Sequence, residues 1–147
     1  MEAKATIFDV AKYILEKLGE TSTWKLQKLC YYSQAWHLAW ENKPIFDEDF
    51  EAWVNGPVCP ELFREHKGKF CIDASDLSKG NTENLMDNEI ETIDVIIKDY
   101  GGLEAHMLRE MTHDEKPWQE ARKGYGERDA CNVIITKDSM GEYYGSL

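Results

Sequence analysis

Long apolar runs are missing from this 147-residue chain. Its longest uninterrupted apolar stretch is only a few residues, against the ~20 that a membrane-crossing helix requires. The opening MEAKATIF carries charge and has no apolar signal core, so neither a membrane partner nor a secretory leader is expected. Cysteine is sparse as well. Cys30, Cys59, Cys71 and Cys131 form no CxxC pair and are too few for a disulfide scaffold, which fits a cytoplasmic protein with reduced thiols. Basic charge is outnumbered: 17 Lys and Arg face 28 Asp and Glu, giving a net charge of −11 and a pI near 4.8. No segment gathers the basic residues into one patch, so phosphate backbones are repelled and nucleic acid is not an expected partner. A basic protein surface suits this charge better.

Catalytic signatures are also lacking. The chain holds no GxSxG elbow, HExxH helix, GxxxxGK[ST] loop or GxGxxG turn. What it does hold is 42% hydrophobic residues and a 12% aromatic share, enough to anchor a core despite a mean hydropathy of −0.58. The length matches one domain spanning residues 1–147.

The apolar residues recur mostly at helical spacing. Ile7, Val10, Ala11, Ile14 and Leu18 mark a first helix over 6–18, opened by Thr6 with Asp9 three residues on and closed by Gly19. A second helix over 23–41 is apolar round most of its circumference. Such a helix sits centrally or under a partner; the central place is expected, with Leu26, Leu29 and Trp36 largely buried. Phe50, Ala52 and Val54 alternate with Glu51 and Trp53, which predicts a short strand ended by the turn Asn55-Gly56-Pro57. Pro60 opens a short helix to His66, and residues 73–85 read as an exposed loop. Asp87 or Asn88 caps a helix to Tyr100. Further helices are expected over 104–111 and 115–123, a strand at 133–135 and a last helical turn or two over 138–144. The fold class is mainly α: a compact single-domain helical fold with at most a small two-stranded β element.

Three groups of residues are candidates for chemistry or binding. Cys59, His66 and Cys71 offer three ligand types for zinc, but at a spacing no common zinc site uses, so no metal and no cofactor is expected. His113, Asp114 and Glu115 stand side by side and invite an acid–base reading. Consecutive positions point apart, however, and the end of one helix and start of the next account for them better. No catalytic residues are assigned; a small hydrolase using His113, Asp114 and Glu115 near Cys59 or His66 is the alternative. The third group is a partner surface. Trp53, Asn55, Gly56 and Pro57 form a rigid turn bearing a large aromatic, approached through the acidic Asp47 and Glu48.

Several segments taken together resemble the Panacea-domain proteins, the SocA-like antitoxins, known in mobile elements as GepA-like phage-associated proteins. They are FDVAKYIL (8–15), KLQKLCYYSQAWHLAW (25–40), PIFDEDFEAWVNGPVCPELF (44–63), IDVIIKDYG (93–101), MTHDEKPWQEARKG (111–124) and MGEYY (140–144). The resemblance implies a small, mostly helical, non-enzymatic antitoxin of a type II toxin–antitoxin system. It implies neutralisation of a cognate protein toxin by direct binding. In the SocA-like branch it also implies an adaptor that presents the toxin to an ATP-dependent protease. A phage or mobile-element protein binding another host protein is the alternative. Glu104 and His106 depart from the family pattern, where a capping Ser and an aromatic residue are expected, so the face of Glu104, His106 and Arg109 is a second candidate for partner choice.

Overall fold

Thr6 opens α1 (Ile7–Leu18) by donating its backbone N–H to the Asp9 carboxylate at 2.8 Å, half of the expected capping box. The computed structural model describes residues 3–147 and this helix forms its first layer. Asp9 is itself buried and also accepts the backbone N–H of Asn81 at 2.7 Å. That bond lashes the 73–85 segment to α1. The segment is largely exposed, as expected, but it holds two 3-10 turns (Ala74–Asp76 and Thr82–Asn84) and is pinned by the buried Leu77 and Leu85. Two apolar anchors in a polar stretch suffice to pin it.

The centre of the molecule is α2 (Thr23–Glu41). The Ser22 hydroxyl caps it by accepting the Lys25 N–H at 3.2 Å, and Asn42 ends it in the left-handed region at φ 57°. It packs against α1, α4 (Asp87–Tyr100), α5 (Ala105–His113) and α7 (Lys137–Gly145). Leu26, Leu29, Cys30, Tyr31, Tyr32 and Ala35 are fully enclosed. Trp36 departs from expectation, being only partly buried at the rim, where its indole donates to the Tyr100 hydroxyl at 3.1 Å. The helix emerges from the core at this end, and Trp40 is 49% exposed.

Polar side chains inside α2 hold the chain that follows. Gln34 donates to the Phe46 carbonyl at 2.7 Å and accepts the Ile45 N–H at 2.8 Å. Gln27, two turns earlier on the same face, accepts the Cys59 N–H at 2.9 Å and donates to the Cys59 carbonyl at 3.2 Å. These pairs satisfy buried backbone groups where the chain leaves and re-enters regular structure.

Among the described residues the β content is two small sheets rather than one two-stranded element. β1 (Thr21–Ser22) pairs antiparallel with β4 (Cys71–Ile72). β2 (Phe50–Trp53) lies between β3 (Gly56–Val58) and β5 (Ile134–Ile135), both antiparallel to it. α3 (Pro60–His66) follows β3 with Pro at its first turn, as the sequence predicts.

Helix ends in the C-terminal half differ from expectation for local reasons. α4 is capped neither by Asp87 nor by Asn88: Met86 is the capping position, and its N–H donates to the Glu89 carboxylate at 2.9 Å. α5 runs through the Thr112–His113 turn expected from sequence, with the Thr112 hydroxyl donating back to the Arg109 carbonyl at 2.7 Å. α6 (Lys116–Ala121) stops short of the expected end, and the Arg122 guanidinium that follows it donates to the carbonyls of Ala52, Gly126 and Asp129. Trp118 anchors α6 in the core at 6% exposure. Among the described residues no helix is long and apolar enough to cross a membrane.

Candidate functional site

Two residues one helical turn apart, Trp24 and Lys28, start the site. They sit on the first turns of α2, where the β2–β3 turn and the N-terminal end of α5 converge on that helix. Lys28 is 1% exposed, and its Nζ lies 5.4 Å from the Trp24 ring with no hydrogen-bond partner. Burial, with the positive charge of Arg109 nearby, lowers its pKa to about 7. Arg109 is half-buried, and its Nε is likewise enclosed without a partner. Among the described residues no carboxylate forms an ion pair with either cation.

His113 adjoins these cations as a neutral ring. Its ring stacks on Trp118 at 3.9 Å, its Nε2 has no partner, and its pKa is lowered by burial and then by Arg109. Lys28 and Arg122 lower it further. A chain of net charge −11 thus gathers Lys28, Arg109, His113 and Arg122 into one region. The gathering is internal, not a surface stripe, which is why no run of basic residues announces it.

Two cavities open on these residues. A hollow of about 190 Å³ is lined by Trp24, Lys28, Asn55, Ala105, His106 and Arg109. Beside it, sharing Trp24 and Asn55, a cleft of about 650 Å³ runs along Glu51, Trp53, Val54 and Cys131. A third depression of about 610 Å³ shares Ala105 and His106 with the hollow and reaches Glu104, Lys25 and Phe70, whose ring is 77% exposed. Cleft, hollow and depression make one continuous face.

That face collects residues the sequence offered as two separate candidates. Trp53, half-buried, packs edge-on against Phe63 at 5.0 Å, and its carbonyl accepts the Trp118 indole N–H at 2.9 Å. Asn55 is exposed, while Gly56 and Pro57 lie buried beneath it. Glu104 occupies the capping position of α5 without a side-chain capping bond, and its carboxylate sits 3.3 Å from His106 Nδ1. Asp47 and Glu48 lie at the opposite end of β2. There Glu48 accepts the Ile7 N–H at 3.2 Å, so Asp47 and Glu48 lie away from the cleft, while Glu51 of the same acidic stretch lines it. Sequence reasoning missed Trp24 and Lys28. The available signal was a lysine set among the apolar positions of the second helix.

The remaining candidates are dispersed. Glu115 accepts the hydroxyls of Tyr32 and Tyr144, each at 2.7 Å, and burial raises its pKa. Asp114 is exposed, and His113 faces Trp118. Cys59 is buried at the head of α3, His66 meets Gln27 at 3.0 Å, and Cys71 lies in β4. Among the described residues no three His, Cys, Asp or Glu side chains are grouped to hold a metal ion.

A family model described as antitoxin SocA-like, Panacea domain, matches residues 26–119, more than half of the chain. The chain belongs to this family. No curated protein and no solved structure matches it. The Panacea span contains Lys28, the β2–β3 turn and Arg109, and begins two residues after Trp24.

Proposed function

We propose that this Panacea-domain protein neutralises a protein toxin by binding it, without a catalytic step, through the face formed by the cleft, the hollow and the depression. One observation carries this reading: Trp24, Trp53 and Asn55 on one side and His106 and Arg109 on the other line adjoining cavities. Partly buried aromatics and an arginine at the centre of a concave face are the residue types that dominate protein interfaces. Phe70 adds an exposed apolar contact at its edge. The net charge of −11 favours a basic toxin, and its effect belongs mainly to association rate and salt sensitivity.

The setting that suits this reading is the cytoplasm of a bacterium, with the toxin encoded beside the antitoxin on a phage or other mobile element. Delivery of the bound toxin to an ATP-dependent protease is an extension of it, read out as a shortened toxin half-life when both proteins are present.

The test is rescue from the product of the adjacent reading frame. Asn55→Arg places a large cation at the junction of cleft and hollow from an exposed position, so the fold is spared. Rescue and co-purification should be lost while the melting temperature holds. Trp53→Ala should act in the same direction, with Asp47→Lys/Glu48→Lys as the distant control that still rescues. Full rescue by folded Asn55→Arg and Trp53→Ala excludes this face.

A further inference from the structure

We propose that the hollow between α2, the β2–β3 turn and α5 is a binding site for one oxyanion, a carboxylate or phosphoryl group, held by Lys28 and Arg109. Its first support is the state of the two cations. Lys28 is 1% exposed, yet its Nζ has no hydrogen-bond partner, and Arg109 Nε is enclosed and equally unpartnered. Buried charges are ordinarily paired, and leaving one without a partner is costly. Both cations line the same cavity.

The surrounding geometry supports the same assignment. Lys28 Nζ rests over Trp24, whose ring gives it no hydrogen-bond acceptor. Gly56 makes room for the lysine tip itself, since a Cβ there would fall 2.5 Å from Cε and 3.3 Å from Nζ. An ammonium and a guanidinium that line one cavity from two helices are the groups that bind oxyanions. The hollow, at about 190 Å³, suits one such group at the end of a ligand, entering past Asn55 and His106. The larger cleft next to it leaves room for whatever carries the group. The site stands on these residues alone and does not depend on toxin binding.

The experiment is a titration of the purified full chain at pH 6.5, following the NMR signals of Lys28 Cε and Arg109 Nε. Sodium phosphate and sodium acetate are the two probes, each added at constant ionic strength made up with sodium chloride. The expected result is a saturable shift of both signals with at least one probe. In Lys28→Met and Arg109→Gln the remaining reporter should respond roughly tenfold more weakly or not at all. Saturation with phosphate alone supports a phosphoryl ligand. Saturation with acetate supports a carboxylate, such as an acidic side chain. If neither probe produces a saturable shift, or if the variants respond as the wild type does, the site does not exist. Should Lys28→Met fail to fold, the wild-type titration and Arg109→Gln still decide. A failed toxin rescue leaves this result untouched, so the two readings fall separately.

Discussion

Gly56 lies directly against Lys28: a Cβ on the glycine would stand 2.5 Å from Lys28 Cε. Gly56 also holds a φ of 109°, a region side chains rarely adopt. Gly56→Ala therefore combines backbone strain with a clash into the hollow. Gly19, at φ 80° with open space around it, offers strain alone. Denaturant unfolding should show both alanine variants destabilised, with a loss of about 1–3 kcal/mol at Gly19 and a larger one at Gly56. Equal losses would mean that the Gly56–Lys28 contact relaxes freely.

Lys28 makes stability depend on pH with a definite sign. Its pKa is about 7 in the folded chain and 10.5 when free, so between those values the unfolded chain holds a proton that the folded chain has lost. Stability then rises with pH, by at most about 1.4 kcal/mol per pH unit. Below pH 7 the term is flat and the cost of the buried charge is fully felt. Arg109 and His113 face Lys28 from α5, and His66 from α3. Both histidines are shifted downward, so they stay neutral across the window that matters. The Cys30 and Cys59 thiols, pushed up by burial, oppose the rise from about pH 8.5. Lys28→Met should be more stable than wild type by about 1–4 kcal/mol at pH 7. Denaturation at pH 7 and pH 8.5 should show that gap narrowing by about 1–2 kcal/mol. A constant gap would contradict the assignment.

Gln27→Leu removes both backbone partners of Cys59 and the contact to His66. Burying that N–H and carbonyl unpaired should cost about 2 kcal/mol or more, measured as a lower denaturation midpoint. Gln34→Leu should cost a similar amount through Ile45 and Phe46. A neutral result at either site would show that water replaces the side chain.

The parts of the fold legible in the sequence are those written locally. Spacing and caps give α1 and α2 and Pro60 gives α3, whereas the turn expected at Asn55-Gly56-Pro57 falls at Val54-Asn55, and Gly56 and Pro57 belong to β3. The pairing of Thr21 with Ile72 joins two distant segments of two residues each, too short to carry periodicity, and the pairing of Phe50 with Ile135 joins two expected strands whose partnership no local signal fixes. Of the site, Trp53, Asn55, His106 and Arg109 were visible as separate candidates. Their meeting was not, because Trp24 and Lys28 link them only in three dimensions. Trp36 read as core because the helix is apolar all round, and only packing shows which end surfaces. That distinction has a measurable side. Trp118→Ala should cost about 3–5 kcal/mol, and Trp36→Ala clearly less, when both are unfolded under the same conditions.

A toxin that meets this Panacea domain across the cleft and hollow should leave its footprint in amide hydrogen exchange on the complex. The chain is compared alone and bound to the protein encoded beside it. Slowed exchange is predicted at Val54 and Asn55 in the β2–β3 turn and at Ala105 and His106, which open α5. Protection confined to the far side of the molecule, along the exposed positions of α4 and α7, with those four amides unchanged, would contradict it.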